Sequence, residues 1–250
     1  MCGFIGFTGI IDHREDVIRK MAERIIHRGP NSGGFHYSGE NDNDSVTLGF
    51  RRLSIIDLSD GSQPMYNEDG SVVIVFNGEI YNFMDLRDEL IAKGHIFKTH
   101  CDTEVIIHGY EEWGKKIAEK LRGMFAFVIF DKKTNVLYGA RDPFGIKPFY
   151  YTKVKSGLVF GSEIKSFLEH PDFKPEVNEN ALRPYLTFQY SSLEETFFKG
   201  VFKLPPAHYF TYSGGKMEKT RYFDFDFTRK TSHDRQACTR IRCGSQNQRR

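Results

Sequence analysis

Apolar and polar positions alternate along much of the chain, and the period of that alternation changes at a few places. Residues 2–11 interleave aromatic and β-branched side chains with glycine, which predicts a buried strand. Over 16–28 the period lengthens. Val17, Ile18, Met21, Ala22, Ile25 and Ile26 recur at helical spacing, and Arg28 stands near the C-terminal end, where a cation is favoured. The glycine- and proline-rich stretch 29–34 breaks that helix. Residues 45–57 read as strands. The apolar run 72–76 is a further strand and ends at the turn dipeptide Asn77-Gly78. Asn82 is placed to cap a helix over 83–93, closed by Gly94. Asp102 or Thr103 is placed to cap the next helix, with Val105, Ile106 and Tyr110 on its inner face. A short helix over 116–121 precedes two strands, 124–130 and 136–140, around a polar turn at 131–135. A shaped loop over 141–151, a strand at 158–161 and a helical fragment at 164–168 follow. Residues 201–212 read as edge strands and a turn at Pro205-Pro206. Strands come in runs with few helices between them and no repeat of solenoid length, which predicts an α+β fold with antiparallel sheets.

Composition narrows this picture. Of 250 residues, 39% are hydrophobic and 27% charged, with 23 Phe, so a sizeable strand-rich core is affordable. No apolar run approaches the ~20 residues of a membrane span, and the N-terminus lacks a basic region followed by an apolar core, so neither membrane nor export signal is expected. Four cysteines without a paired or Cys-x-x-Cys spacing fit a reducing cytoplasm. The net charge of +2 conceals an asymmetry: residues 228–250 hold seven of the 35 basic residues and one of the 33 acidic ones. The stretch is low in apolar residues and reads as a disordered basic tail. A nucleic-acid binder built on it is disfavoured, because its Arg and Lys lack interleaved aromatics and the rest of the chain is net acidic. His233, Cys238 and Cys243 lack a fourth metal ligand, and no metal site is expected.

Candidate chemistry starts at Met1-Cys2. If Met1 is removed, Cys2 carries a thiol nucleophile and an α-amine base on one residue; taken alone, a small residue at position two needs no function. Asn77-Gly78 is either a plain turn or a pair of N–H donors suited to an oxyanion. Arg52 is either a strand-edge arginine or a planar fork for a carboxylate. Glu79 and Asp102 either hold a substrate ammonium or cap and solvate. His27 and Arg28, taken alone, read as a solvated helix end.

Together these stretches resemble the glutamine amidotransferase domain of the N-terminal-nucleophile type, as found in glutamine-hydrolysing asparagine synthases. The matching stretches are Met1-Cys2-Gly3-Phe4, His27-Arg28-Gly29-Pro30, Arg52-Leu53-Ser54-Ile55-Ile56-Asp57, Gln63-Pro64-Met65, Phe76-Asn77-Gly78-Glu79-Ile80-Tyr81-Asn82, Asp102-Thr103-Glu104-Val105, Arg122-Gly123-Met124-Phe125-Ala126 and Arg141-Asp142-Pro143-Phe144-Gly145-Ile146-Lys147-Pro148. The resemblance implies a four-layer αββα sandwich over residues 2–215. It implies Cys2 as nucleophile, Asn77 and Gly78 as oxyanion hole, and Arg52 on the glutamine α-carboxylate. It places Asp102 with Glu79 on the α-amine and the backbone of Ile55 and Ile56 along the pocket.

In that family a second domain activates aspartate with ATP and Mg²⁺. Its phosphate loop has no counterpart here: Ser213-Gly214-Gly215 is followed by Lys216-Met217 rather than an acidic-Ser pair. Residues 216–227 are therefore expected to start a linker to an absent synthetase domain, and no cofactor is expected in this chain. The expected partners are L-glutamine and a synthetase domain or subunit, with a homodimer left open and no nucleic acid or membrane. An ammonia donor for another acceptor, a sugar or a β-lactam precursor, stays open as well.

Overall fold

The computed structural model describes residues 1–39, 45–53, 61–191 and 193–224. Ile55, Ile56 and the basic tail 228–250 lie outside them. In chain order the first elements are β1 (Gly3–Thr8), α1 (Arg14–Arg24), β2 (Ser32–Tyr37), β3 (Val46–Arg52), β4 (Met65–Tyr66) and β5 (Val72–Ile80). Then come α2 (Phe83–Ala92), α3 (Asp102–Trp113), α4 (Ile117–Lys120), β6 (Gly123–Asp131), β7 (Val136–Arg141), β8 (Tyr150–Val154) and β9 (Gly157–Gly161). The last are α5 (Glu179–Phe188), β10 (Val201–Lys203), β11 (His208–Ser213) and β12 (Lys216–Arg221).

Among the described residues the strands form two six-stranded sheets, ordered β10-β8-β9-β1-β3-β2 and β12-β11-β7-β6-β5-β4. Neighbouring strands pair antiparallel throughout. Side chains of a strand alternate between faces, and the alternation sorts the core into three layers. Phe4, Val46, Leu48, Phe50, Val73, Val75, Ala126, Val128 and Phe210 meet between the sheets. Phe149 links the two sheets there, its ring 5.3 Å from that of Phe4 in β1 and 5.6 Å from that of Phe210 in β11. The opposite face of β1 sends Ile5 and Phe7 against Ile18, Met21 and Ala22 of α1 and against Phe167 of a 3-10 turn, Ile164–Glu169. The opposite face of β5 sends Val72, Ile74 and Phe76 against Leu86 and Leu90 of α2, Val105 and Ile106 of α3, and Ala118 of α4. The result is the αββα sandwich. No described helix is long and apolar enough to cross a membrane.

Several local expectations are revised. The first helix is shorter than 16–28: α1 stops at Arg24, and Ile26–Arg28 is a 3-10 turn. Asn82 precedes α2 without capping it; its side chain instead accepts from Arg122 N–H at 2.9 Å and donates to Lys120 O at 3.0 Å. Asp102 is the first residue of α3 rather than its cap, and its carboxylate accepts from Ile80 N–H at 2.9 Å. β11 is internal, paired with β7 on one side and β12 on the other, so only β10 and β12 of that region are edges. Lys216–Arg221, expected at the start of a linker, is a strand, turned back through Gly214 and Gly215 at positive φ. The chain then continues in register with the body: Tyr222 N–H donates to Ala207 O at 2.9 Å, and its hydroxyl donates to Arg141 O at 2.7 Å. β2 and α5 fall in stretches where no element was expected.

Candidate functional site

The alternation that builds the inter-sheet core also places the site. On β5 the inward parity runs Val73, Val75, Asn77, Glu79; on β3 it runs Val46, Leu48, Phe50, Arg52; on β1 it runs Cys2, Phe4, Gly6. The apolar members fill the sandwich, and Cys2 packs at its margin. The polar members continue the same rows beyond it. β1 and β3 are antiparallel with Gly3 opposite Arg51, so the register carried one residue further sets Cys2 opposite Arg52. Leu53 N–H lies 3.4 Å from Cys2 Sγ, which itself points at Leu53 O at 3.8 Å. The Cys2 thiol is half-buried and free.

Asn77 is 2% exposed, and its side-chain Nδ2 has no hydrogen-bond partner among the described residues. An orphaned buried amide donor costs about 1–3 kcal/mol, and this one stands beside the side-chain-free backbone of Gly78. β5 is held at this point by Gln63, whose Oε1 accepts from Phe76 N–H at 2.6 Å. The next residue, Gly78, admits no side chain: a Cβ would sit against Met124 O and the Phe125 backbone of β6. Asp102 comes from the start of α3 and is tied to the end of β5 through Ile80 N–H. Burial pushes its carboxyl up to about 6, the Ile80 hydrogen bond opposes this, and the Glu79 charge adds to it. The guanidinium of Arg52 lies close against Gly61. Cys2, Arg52, Asn77, Gly78, Glu79 and Asp102 are thus gathered at one end of the sandwich.

Three further groups in this region carry no role in the sequence reading. Arg28, read as part of a solvated helix end, is 10% exposed at its side chain. Its Nε donates to Cys2 O at 2.9 Å and its Nη1 to Glu163 at 3.0 Å, so it pins the backbone of the first strand. Lys147 is 5% exposed, with Nζ 3.4 Å from Met1 Sδ. Burial lowers its pKa, Arg28 adds to the lowering, and the charges of Asp142, Cys2 and Glu79 oppose it. Asp142, fully buried, accepts from the backbone N–H groups of Phe125, Phe144, Ile146 and Lys147 and so shapes the loop that delivers Lys147. Both loops lie in motifs that the resemblance matched, His27-Arg28-Gly29-Pro30 and Arg141-Asp142-Pro143, but spacing alone does not show which strand a side chain reaches. A small cavity lined by Thr8, Val46, Phe130 and Leu137 opens at the other end of β1 and is no part of this site.

A half-buried thiol at the head of a central strand, an orphaned amide donor and a side-chain-free stretch of backbone on the facing strand thus share one end of an αββα sandwich. Residues 1–223 match the family described as glutamine amidotransferase domain, and the chain belongs to that family. It is 43% identical over 233 residues to asparagine synthetase [glutamine-hydrolyzing] 1 of Bacillus subtilis, covering 91% of this chain and 36% of that protein. It is 38% identical over 244 residues to asparagine synthetase [glutamine-hydrolyzing] 3 of the same organism, covering 92% and 38%. The chain thus spans little more than a third of the length of these curated relatives. The fold is shared with a glutamine phosphoribosylpyrophosphate amidotransferase from B. subtilis, at a TM-score of 0.64 and 17% identity over 90% of this chain and 50% of that one.

Proposed function

We propose that this domain hydrolyses L-glutamine and supplies the ammonia for asparagine synthesis. Removal of Met1 frees the Cys2 α-amine, which takes the thiol proton as sulfur attacks the side-chain amide carbon. The carbonyl oxygen gains negative charge and is met by Asn77 Nδ2–H and Gly78 N–H. Collapse expels ammonia, protonated by the same amine, and leaves a γ-glutamyl thioester that water hydrolyses to glutamate. Arg52 holds the α-carboxylate, while Asp102 and Glu79 hold the α-ammonium. The backbone of Ile55 and Ile56 lines the pocket. Hydrolysis uses no cofactor in this scheme. ATP and Mg²⁺ serve aspartate activation in a partner synthetase domain, and a reducing cytoplasm suits the free thiol. The reading rests above all on the orphaned Nδ2 of Asn77, a buried donor with no partner among the described residues and placed to meet an oxyanion.

The test is a glutaminase assay on protein whose N-terminus has been sequenced. A glutamine-analogue electrophile is expected to label Cys2 and spare Cys101. Asn77→Ala is expected to lower turnover by ~10²–10³ with little change in KM. Full turnover in Asn77→Ala, or in protein retaining Met1, would sink the scheme. Given glutamine, aspartate, ATP and Mg²⁺, this chain is expected to form glutamate alone; asparagine formed in step with it would refute the assignment of synthesis to a partner domain.

A further inference from the structure

Behind the second sheet, away from Cys2, three segments bring metal-ligating side chains together. Glu68 stands in the β4–β5 turn, His95 in the connection from α2 to α3, and His108 in the middle of α3. Each offers one ligand atom, and these atoms lie within 4.8 Å of one another. His108 Nδ1 is 3.7 Å from Glu68 Oε2. Ligands at Zn²⁺ bond lengths of 2.0–2.2 Å stand ~3.4 Å apart in a tetrahedron, so one edge is nearly formed. The remaining contraction falls on the two members outside regular secondary structure, Glu68 and His95.

We propose that Glu68, His95 and His108 bind one Zn²⁺ ion, which clips the β4–β5 turn and the α2–α3 connection onto α3. The donor set, two imidazoles and a carboxylate, suits Zn²⁺. Glu111, with Oε2 3.0 Å from His108 Nδ1, or a water takes the fourth position.

Two independent features favour a metal over a plain ion-pair cluster. The first is the outer shell. A histidine that ligates through one nitrogen usually presents the other to a carboxylate. His108 Nε2 is buried without a hydrogen-bond partner and stands 3.6 Å from Glu104 Oε1. Glu104 is itself fixed by the backbone N–H groups of Lys98 and Thr99 and by the Thr99 hydroxyl. His95 Nε2 is 3.6 Å from Glu112 Oε2, and Asn67 holds Glu111 at 2.6 Å. The second is charge. Glu68, Glu104, Glu111 and Glu112 crowd the two rings, while among the described residues the lysine paired directly with them is Lys93, 2.6 Å from Glu112. A divalent cation corrects that excess.

The experiment uses the full chain with Cys2→Ser, which removes the active-site thiol as a competing zinc ligand. Chelator-stripped protein is titrated with Zn²⁺ by calorimetry, and separately with Co²⁺ while its visible absorption is followed. One equivalent is expected to bind, with the absorption of a four-coordinate nitrogen–oxygen site and a rise in Tm that EDTA reverses. His95→Ala and Glu68→Ala alter side chains that are 16% and 36% exposed and lie outside the helices and strands, and are expected to leave the fold intact. Each should weaken binding by more than the ~10–100-fold that loss of an outer-shell partner costs. No saturable binding, or binding that both replacements leave unchanged, would overturn the proposal.

Discussion

Helices α3 and α5 are similar in length and opposite in fate. Residues 103–109 of α3 are buried without a break, against Ile74 and Phe76 of β5 and Ile129 of β6. In α5 Ala181 is buried, while Leu186 and Phe188 stand 77% and 72% exposed. Both helices carry apolar residues at helical spacing, so amphipathicity alone does not say whether a face is covered. Cover depends on a sheet standing opposite, and the outer face of the second sheet stands opposite α3. The covered helix is also the one that carries residues of both proposed sites. Asp102 opens it, and His108 lies in its middle. Rigid seating on β5 is what lets Asp102 hold a fixed place beside Ile80 and Glu79.

The contrast can be broken most directly by truncating each helix's apolar side chains. Ile106→Ala in α3 should cost about 2–5 kcal/mol in urea unfolding, the usual cost of a core cavity. A smaller loss than that of a matching change in α5 would mean that α3 is not the anchored helix. A second test reads the functional end of α3. A hydrogen bond to a charged group is worth ~1.5–3 kcal/mol. Asp102→Asn should therefore raise the glutamine KM about ten- to a hundredfold with turnover little changed.

Asp102 also sharpens the contrast through pH. Glutamine binding, measured on Cys2→Ser protein to remove turnover, should weaken as pH falls through about 6, because a proton then replaces the α-ammonium on Asp102. Below that pH the loss should approach tenfold per unit. The sign for folding is the reverse. The folded chain holds this proton to a higher pH than the unfolded chain, so Asp102 subtracts stability as pH rises from 3.8 through about 6. Asp102→Asn should flatten both profiles, and an unchanged binding profile would remove Asp102 from the ammonium site. The smallest effect belongs to α5. Leu186→Ser and Phe188→Ser should each stay within ~0.5 kcal/mol of the parent, as exposed substitutions do. A larger loss in unfolding experiments would show that α5 is packed after all.

Much of the fold was legible because its signals are local. The strands at β1, β5, β6 and β7 follow from short apolar runs bounded by turn residues, α1 and α2 from helical spacing with glycine at their exits, and α3 from its cap signal and inner apolar face. β2, rich in glycine and histidine, was missed, since its strand state comes from pairing with β3 across Gly34 and Phe50 rather than from its own side chains. α5 was missed because Pro184 lies inside it and reads as a breaker. The site residues were nameable only as a set. Asn77 as a turn and Arg52 as an edge arginine were each sufficient explanations of one residue, and it took the shared inward parity of β1, β3 and β5 to line them up. Ile55 and Ile56 lie outside the described residues, so their place in the pocket stays a proposal.

What the sequence by itself determined is the order of elements, the antiparallel α+β class and the types of side chain available to chemistry, because periodicity, turn chemistry and composition act over a few residues at a time. What only the tertiary structure decided is where polar side chains are spent. Asn82 sits at the cap position of α2 and Asp102 opens α3, yet one bonds the backbone at Lys120 and Arg122 and the other bonds Ile80. Arg28 leaves a helix end to grip Cys2 O and Glu163. Each of these partners lies 22 to 135 residues away. A local cap competes with a distant partner on nearly equal terms, and the packing of α3 against β5, and of α1 against β1, settles which of them is within reach.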